Sequence, residues 1–297
     1  MKRLFLTILL SASYFPTLHA QDDAILEKEV FKRNVPIQTE IDSIKKIIQN
    51  FNEKFSIATD HAVKEQLTHQ VDSMYNIMDP LLVKMLKADL EFAKQHPAST
   101  YCMKLVSSRI RKFEAMQLYD EYESVYNNLS PLIKDAGDGE KLKEQLVHFK
   151  HSKTGSVAPL FVVTDLNRQS LTLEQFRGKK FVLIDFWASW CGPCVADFPN
   201  LKELYKSYGA DLEIISITTD DDQEKWKKAI IKYGMGNWKH FSLKNNPETT
   251  VYADYFVGGI PHKILINKDG IIIGKWKGYS ENNSRELKAT VSAAMKN

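Results

Sequence analysis

Two cysteines three residues apart, Cys191 and Cys194, lie in the run Trp187-Ala188-Ser189-Trp190-Cys191-Gly192-Pro193-Cys194. That spacing sets two sulfurs on one helical turn, where one can attack a disulfide and the other can resolve the mixed disulfide that results. The chemistry implied is dithiol/disulfide exchange. With a helix beginning at Cys191, its sulfur faces unpaired backbone N–H groups and the positive end of the helix dipole, and both favour thiolate over thiol. Cys191 is therefore the candidate attacking thiolate and Cys194 the candidate resolving thiol.

Other uses of the pair fit less well. Tetrahedral zinc needs two more Cys or His ligands at suitable spacing, and the chain has no second CxxC. Covalent haem attachment needs a histidine directly after the second cysteine, where Val195 stands. A one-cysteine peroxidase normally lacks a CxxC companion. No metal is expected, and no cofactor beyond the redox-active disulfide itself. The third cysteine, Cys102, sits in a helical pattern beside Tyr101, Leu105 and Val106; it reads as a buried, inert thiol, with intermolecular pairing as the alternative.

The elements that must hold the pair can be read around it. Phe181-Val182-Leu183-Ile184-Asp185-Phe186 is β-branched and aromatic, a buried strand leading straight into the cysteines. Its one carboxylate, Asp185, should have a pKa raised by desolvation, which would let it take a proton from Cys194 as the mixed disulfide breaks; a purely structural carboxylate is the alternative. A helix is expected from Cys191 to about Tyr208, a strand over 213–217, a helix near 223–233, strands over 263–266 and 271–275, and a helix over 284–296. Before them, Phe161-Val162-Val163 and Ser170-Leu171-Thr172-Leu173 read as a hairpin. Such alternation implies an α/β domain with a central sheet covered on both sides.

Upstream the pattern is helical, from about Asp23 to Lys150. Ile37, Ile41, Ile44, Ile48, Phe51 and Phe55 recur at three and four residues, one stripe of a helix. Asp79-Pro80 predicts the start of another helix, and His96-Pro97 its end. Two more are expected over 99–113 and 114–129 and a last one over 140–150, after Ser130-Pro131 and Ala136-Gly137-Asp138-Gly139. No motif there carries chemistry, and the simplest account is an all-α bundle. His151-Ser152-Lys153-Thr154-Gly155-Ser156 reads as the linker.

The chain has 297 residues, 43% hydrophobic and 26% charged, enough for two ordinary globular domains. Met1-Lys2-Arg3, the apolar run Leu4 to Leu10 and Leu18-His19-Ala20 read as a cleaved secretory signal over 1–20, an uncleaved anchor being the alternative. No cysteine follows the apolar run, so lipid attachment there is not supported. Losing Lys2 and Arg3 leaves 38 basic residues against 37 acidic, a balance with no electrostatic footprint for nucleic acid. Lys225-Trp226-Lys227-Lys228 reads as a solvated helix face. The organisation expected is a signal over 1–20, a helical domain of unknown role over 21–150 and a redox domain over 151–297.

The segment around the cysteines resembles thioredoxin, and more closely the periplasmic branch of that family typified by TlpA and ResA. The resemblance covers roughly residues 155–297. It is carried by Gly155 to Phe161, the Gly178-Lys179 turn, the CxxC run, Asp197-Phe198-Pro199, Gly258-Gly259-Ile260-Pro261 and Lys263-Ile264-Leu265-Ile266-Asn267-Lys268-Asp269-Gly270. It implies a thioredoxin-like fold with a central mixed sheet and the N-terminal hairpin typical of that branch. By the same resemblance Pro261 is the cis proline, and the backbone of Ile260 offers strand-like hydrogen bonds to an extended client. Asp185 matches the buried acid of thioredoxin, but the lysine accompanying that acid should fall on the next strand, where Ser216 stands. Trp187 and Trp190 are expected to shape the rim of the active thiol, with Trp190, Gly192, Pro193, Ile260 and Pro261 contacting the client. Pro199 should kink the first long helix. His262, where the family often has threonine, is expected to be a surface or hydrogen-bonded histidine, a specialised proton donor being the alternative.

The Gly192-Pro193 dipeptide is similar to that of reducing thioredoxins, whose potential is about −270 mV. The function implied is an exported, periplasmic thiol-disulfide oxidoreductase, a reductase of disulfides in envelope proteins supplied by a membrane-borne electron donor. Cytochrome c maturation is one candidate use. The alternative is a binding module on a thioredoxin-like scaffold with little redox turnover. The helical region could serve homo-oligomerisation, partner recognition or spacing.

Overall fold

Every residue of the strand leading into the cysteines, from Val182 to Trp187, is buried, so the strand needs cover on both faces. It has it. In the computed structural model, which describes residues 15–111, 113–165 and 169–296, this strand β3 (Phe181–Trp187) is central in a five-stranded mixed sheet. It pairs in parallel with β4 (Leu212–Thr218) and antiparallel with β6 (His262–Ile266). β5 (Lys239–Ser242) lies outside β4 and β7 (Ile272–Lys277) outside β6. Alternation along β3 divides its side chains between two layers. Leu183 and Trp187 pack with Leu201 and Leu204 of α7 (Gly192–Tyr208) and Leu287 and Val291 of α10 (Glu281–Ala294). Val182, Ile184 and Phe186 pack instead with Val163 and Leu171 of the hairpin β1 (Val162–Thr164) and β2 (Ser170–Thr172), and with Val251 of the short α9 (Val251–Asp254).

The expected strands and helices of this half are present to within about three residues, with α8 at Gln223–Lys232. Two elements go beyond the sequence reading: β5, four residues without alternation, and α9, a single turn. The β6–β7 turn follows the Asn267-Lys268-Asp269-Gly270 reading, with the Asn267 side-chain oxygen accepting from the N–H groups of Asp269 and Ile271 and Gly270 at φ 80°.

The helical half is built on a long hairpin, α1 (Phe15–Ile57) folding back as α2 (His61–Gln95), with Ile41, Ile44 and Ile48 against Met78 and Met85. Residues 1–14 of the expected secretory signal lie outside the described residues. Pro80 does not begin a helix: it lies inside α2, as Pro36 lies inside α1. A proline in mid-helix costs about 3 kcal/mol, which the apolar stripe on either side of it, Met78, Met85, Leu86 and Leu90, offsets by burial. His96 caps α2 where the sequence predicts its end. Beyond it come α3 (Thr100–Arg109), a 3₁₀ turn over Phe113–Gln117, α4 (Tyr119–Asn128), α5 (Pro131–Lys134) and α6 (Gly137–His151). Gly137 and Gly139 are thus the first turn of α6 and not a break before it. A Cβ on Gly139 would stand 2.1 Å from the Ile133 carbonyl oxygen, so α5 and α6 approach closely there. The segment read as a linker is pinned: Ser152 is fully buried, Gly155 N–H donates to Ile272 O at 2.8 Å, and Ile272 N–H to Ser156 O at 2.9 Å.

Asp89 is 2% exposed in the helical core, faced by the guanidinium groups of Arg33 and Arg109 and by Asn34 Nδ2 at 2.8 Å. Removing one member of such a cluster strands the others. Asp89→Ala is expected to lower stability by about 3–5 kcal/mol, read from urea unfolding as a lower midpoint at unchanged slope. A loss below about 1 kcal/mol would show that the two guanidiniums are hydrated and the cluster unimportant.

Candidate functional site

Trp187 ends β3 and the chain turns through Ala188 and Ser189 before α7 begins. That turn is held from β4: the buried Asp220 carboxylate accepts from Ser189 N–H at 2.8 Å, Ser189 Oγ at 2.7 Å and Thr218 Oγ1 at 2.6 Å. Cys191 is the N-cap of α7, its Sγ accepting from Cys194 N–H at 3.2 Å. Pro193 falls in the first turn, where no backbone donor is needed. The two sulfurs are joined, S–S 2.05 Å with Cα atoms 5.2 Å apart. Cys191 and Cys194 are 5% and 2% exposed, whereas Trp190 is 70% exposed and Gly192 and Pro193 are open to solvent. That rim is the open part of the turn that carries the pair. Trp187 is not part of the rim. It is fully buried beneath the disulfide, edge-on to Phe198 at 5.2 Å, because β3 alternation turns it into the layer covered by α7.

The Ile260–Pro261 peptide is cis, and Pro261 O accepts from Gly278 N–H at 2.8 Å, which ties the loop to the end of β7. Ile260 is half-buried, touching the apolar layers on both sides of the sheet. His262 departs from expectation. It is fully buried, and neither ring nitrogen has a hydrogen-bond partner among the described residues. Burial, reinforced by Lys275, Lys277 and Lys263, holds its pKa far below the usual histidine value, so the ring is neutral. Cys102 is free and fully buried, as expected.

A charged cluster only partly foreseen is buried between the sheet and α7. Asp185 of β3, Asp197 of α7 and Lys263 of β6 are all buried, with Lys263 Nζ 2.5 Å from Asp197 Oδ2 and 3.5 Å from Asp185 Oδ1. Ser216 does occupy the β4 position, donating to Asp185 Oδ2 at 3.1 Å and accepting from Trp238 Nε1 at 3.0 Å. The expected loss of a lysine is nevertheless corrected: the ammonium arrives from the antiparallel neighbour, since Asp185 and Lys263 are directly paired across β3 and β6. Asp197 also accepts from Asn200 Nδ2 at 2.8 Å and Ser284 Oγ at 3.0 Å.

These environments separate the two carboxylates. Burial pushes Asp185 upward, and Lys263 only partly opposes it. Burial acts on Asp197 in the same sense, but the Lys263 charge and its hydrogen bonds outweigh it, and Asp197 is held below the usual range. Burial would lower Lys263, but the two carboxylates raise it. Asp197 is thus the ion-pair partner of Lys263, and Asp185 is the carboxylate that holds a proton more tightly. Sequence reasoning missed Lys263 as the counter-charge and Asp220 as the loop anchor. For Lys263 the signal available was a lysine beginning an otherwise apolar strand. Among the described residues no group of three or more His, Cys, Asp and Glu could hold a metal ion, and no helix is long and apolar enough to cross a membrane.

A five-stranded mixed sheet with a disulfide at the N-terminus of the helix after its central strand, and a cis proline at the start of the next antiparallel strand, defines a dithiol/disulfide protein of thioredoxin type. Residues 178–272 match the family described as Thioredoxin-like. The chain is 34% identical over 133 residues to the thiol-disulfide oxidoreductase ResA of a Bacillus cereus strain, covering 44% of this chain and 74% of that protein. It is 29% identical over 120 residues to ResA of Bacillus subtilis (strain 168), covering 40% of this chain and 64% of that one. A solved thioredoxin domain of a thiol-disulfide oxidoreductase from Bacteroides vulgatus is 33% identical, with 47% of this chain and 98% of that chain covered and a TM-score of 0.41. The chain belongs to the thioredoxin-like thiol-disulfide oxidoreductases.

The buried acid makes a signed prediction. Asp185 has a folded-state pKa above its unfolded value of about 3.9, so its stabilising contribution is complete below that pH and is lost as pH rises toward the folded value. Asp185→Asn removes this loss. Its urea midpoint is expected to exceed that of the wild type at pH 8, with the margin shrinking as the pH is lowered to about 4. A margin that does not change with pH, or that reverses at pH 8, would show that burial does not raise the Asp185 pKa.

Proposed function

We propose that this protein is an exported reductase of disulfides in envelope proteins, working in the periplasm after removal of residues 1–20. The observation that carries the reading is the Cys191–Cys194 disulfide at the first turn of α7. In the reduced enzyme the Cys191 sulfur meets the free N–H groups of α7 and the positive end of its dipole, which favours the thiolate. The Cys191 thiolate attacks one sulfur of a client disulfide; that S–S bond breaks, a Cys191–client bond forms, and the other client sulfur leaves and takes up a proton. Cys194 then gives its proton to the ionised form of Asp185 and attacks Cys191 Sγ. The enzyme disulfide closes, the second client sulfur leaves, and two electrons have passed to the client. A carboxylate whose pKa is raised by burial suits this exchange, because it holds the accepted proton more firmly than an ordinary carboxylate.

Trp190, Gly192 and Pro193 supply the exposed apolar contact, and the backbone of Ile260 before Pro261 supplies extended hydrogen bonding to the client. Each turnover leaves an oxidised enzyme, so a dithiol electron donor, borne by the membrane in this reading, must restore the thiols. No cofactor other than the cysteine pair enters the cycle. The helical half has no part in the chemistry itself.

Insulin reduction with dithiothreitol as donor tests the reading. Cys191→Ala is expected to fall to the uncatalysed rate, and Cys194→Ser to accumulate mixed disulfides with its client. Labelling of Cys191 with iodoacetamide across a pH series should give a titration below the free-thiol value of about 8.5. A Cys191→Ala protein as fast as wild type removes the enzymatic reading outright.

A further inference from the structure

Phe256 stands where helix C-termini ordinarily carry glycine. α9 ends in two bonds, Phe256 N–H to Ala253 O at 2.8 Å and Val257 N–H to Tyr252 O at 3.0 Å, the pair that defines a Schellman turn. The residue after the cap of such a turn must take left-handed backbone. Phe256 does so with φ 52°, and it is the one non-glycine residue with positive φ among the described residues. Nothing local favours a bulky ring in that conformation.

What holds the ring is the other half of the molecule. Phe256 is 1% exposed among the core side chains of the helical half. It stacks on Phe149 of α6, ring centroids 4.7 Å apart and planes 8° from parallel, with the Arg111 guanidinium 5.9 Å from its centroid. Its neighbour Tyr255 is buried in the sheet layer, its O–H donating to Pro159 O at 2.7 Å. Consecutive side chains are thus anchored in two different cores. Two polar ties run alongside: His148 Nδ1 lies 3.1 Å from Asp254 Oδ1, and Lys275 Nζ donates to Ser152 O at 2.8 Å and Tyr255 O at 3.4 Å. Only Val257 to Ile260 separate Phe256 from Pro261.

We infer that the helical half sets the conformation of the client-binding loop: Phe256, gripped by Phe149, fixes the turn from which Gly258 to Pro261 reaches the disulfide. Phe256 is a positioning residue, since it acts on the client only through Ile260. The inference rests on the reading that Ile260 and Pro261 hold the client backbone. Its consequence is selective. A protein disulfide, which must lie along the loop, senses the helical half; a small thiol reacting with the Cys191–Cys194 disulfide does not.

Two full-length variants separate the turn from the grip. Phe256→Gly keeps a residue that favours left-handed backbone but removes the ring, and Phe149→Leu keeps apolar burial in α6 but removes the stacked face. Each is expected to raise KM for insulin about five-fold with kcat held within about two-fold. Reduction of the enzyme disulfide by dithiothreitol should stay within about two-fold of wild type. Amide hydrogen exchange at Val257–Ile260 should quicken in Phe149→Leu while that of β3 does not. The inference is overturned if KM for insulin is unchanged in Phe149→Leu, or if both variants slow insulin and dithiothreitol reactions in parallel. Ile260→Pro, which deletes the amide offered to the client, is the control. If it leaves KM unchanged the loop reading fails and the inference with it; if it raises KM while Phe149→Leu does not, the inference alone fails.

Discussion

The ammonium of Lys263 is the charge on which the redox half depends. Two carboxylates from different elements, Asp185 on β3 and Asp197 on α7, are buried in one apolar layer, where an ionised carboxylate needs a paired cation. Lys263 meets both. Because Asp197 is also bonded by Asn200 from within α7 and by Ser284 of α10, the same charge fixes how both helices lie on the sheet. α7 begins at the cysteines, with Cys194 three residues before Asp197. The depth and direction of the disulfide thus follow from an ion pair that takes no electron.

A second clamp works from the other side. Asp220 at the end of β4 binds the loop between Trp187 and Cys191 through both the backbone and the hydroxyl of Ser189. With Trp187 packed under the disulfide and Asp197 pulled toward β6, the CxxC turn is held before, below and after its sulfurs. Both cysteines are buried, and the Trp190-Gly192-Pro193 rim is the open part of the turn that carries them.

Most of this half was legible because its signals are local. A CxxC soon after a β-branched and aromatic run with one carboxylate, a Gly-Gly-Ile-Pro loop and an Asn-Lys-Asp-Gly turn each state their geometry within a few residues. What was not legible depends on pairing distant in sequence. Lys263 neutralises Asp185 only because β6 runs antiparallel beside β3, and a strand order cannot be read from either strand alone. His262 reads as an exposed or bonded histidine because nothing in its neighbours announces that β6 is covered there. In the helical half, periodicity identifies the Ile41, Ile44, Ile48 stripe, yet Pro80 misleads as a start, since local proline rules yield where tertiary burial supports a continuous helix. Phe256 was invisible for the same reason: a phenylalanine at a glycine position makes sense only once α6 lies against α9.

The division of protons between the two acids follows from the same contacts. One ammonium can balance one carboxylate in an apolar layer, and a second ionised carboxylate would leave a net buried charge. Asp197 has the shorter contact to Lys263 and two further donors, so the ionised form is cheapest there. Asp185 has the longer contact and a single hydroxyl donor, Ser216, whose oxygen is itself engaged by Trp238. A proton is therefore held more tightly on the strand that leads into the cysteines than on the helix that begins with them. A cluster required to dock α7 thus also places its carboxylate of raised pKa in the layer that contains Cys194.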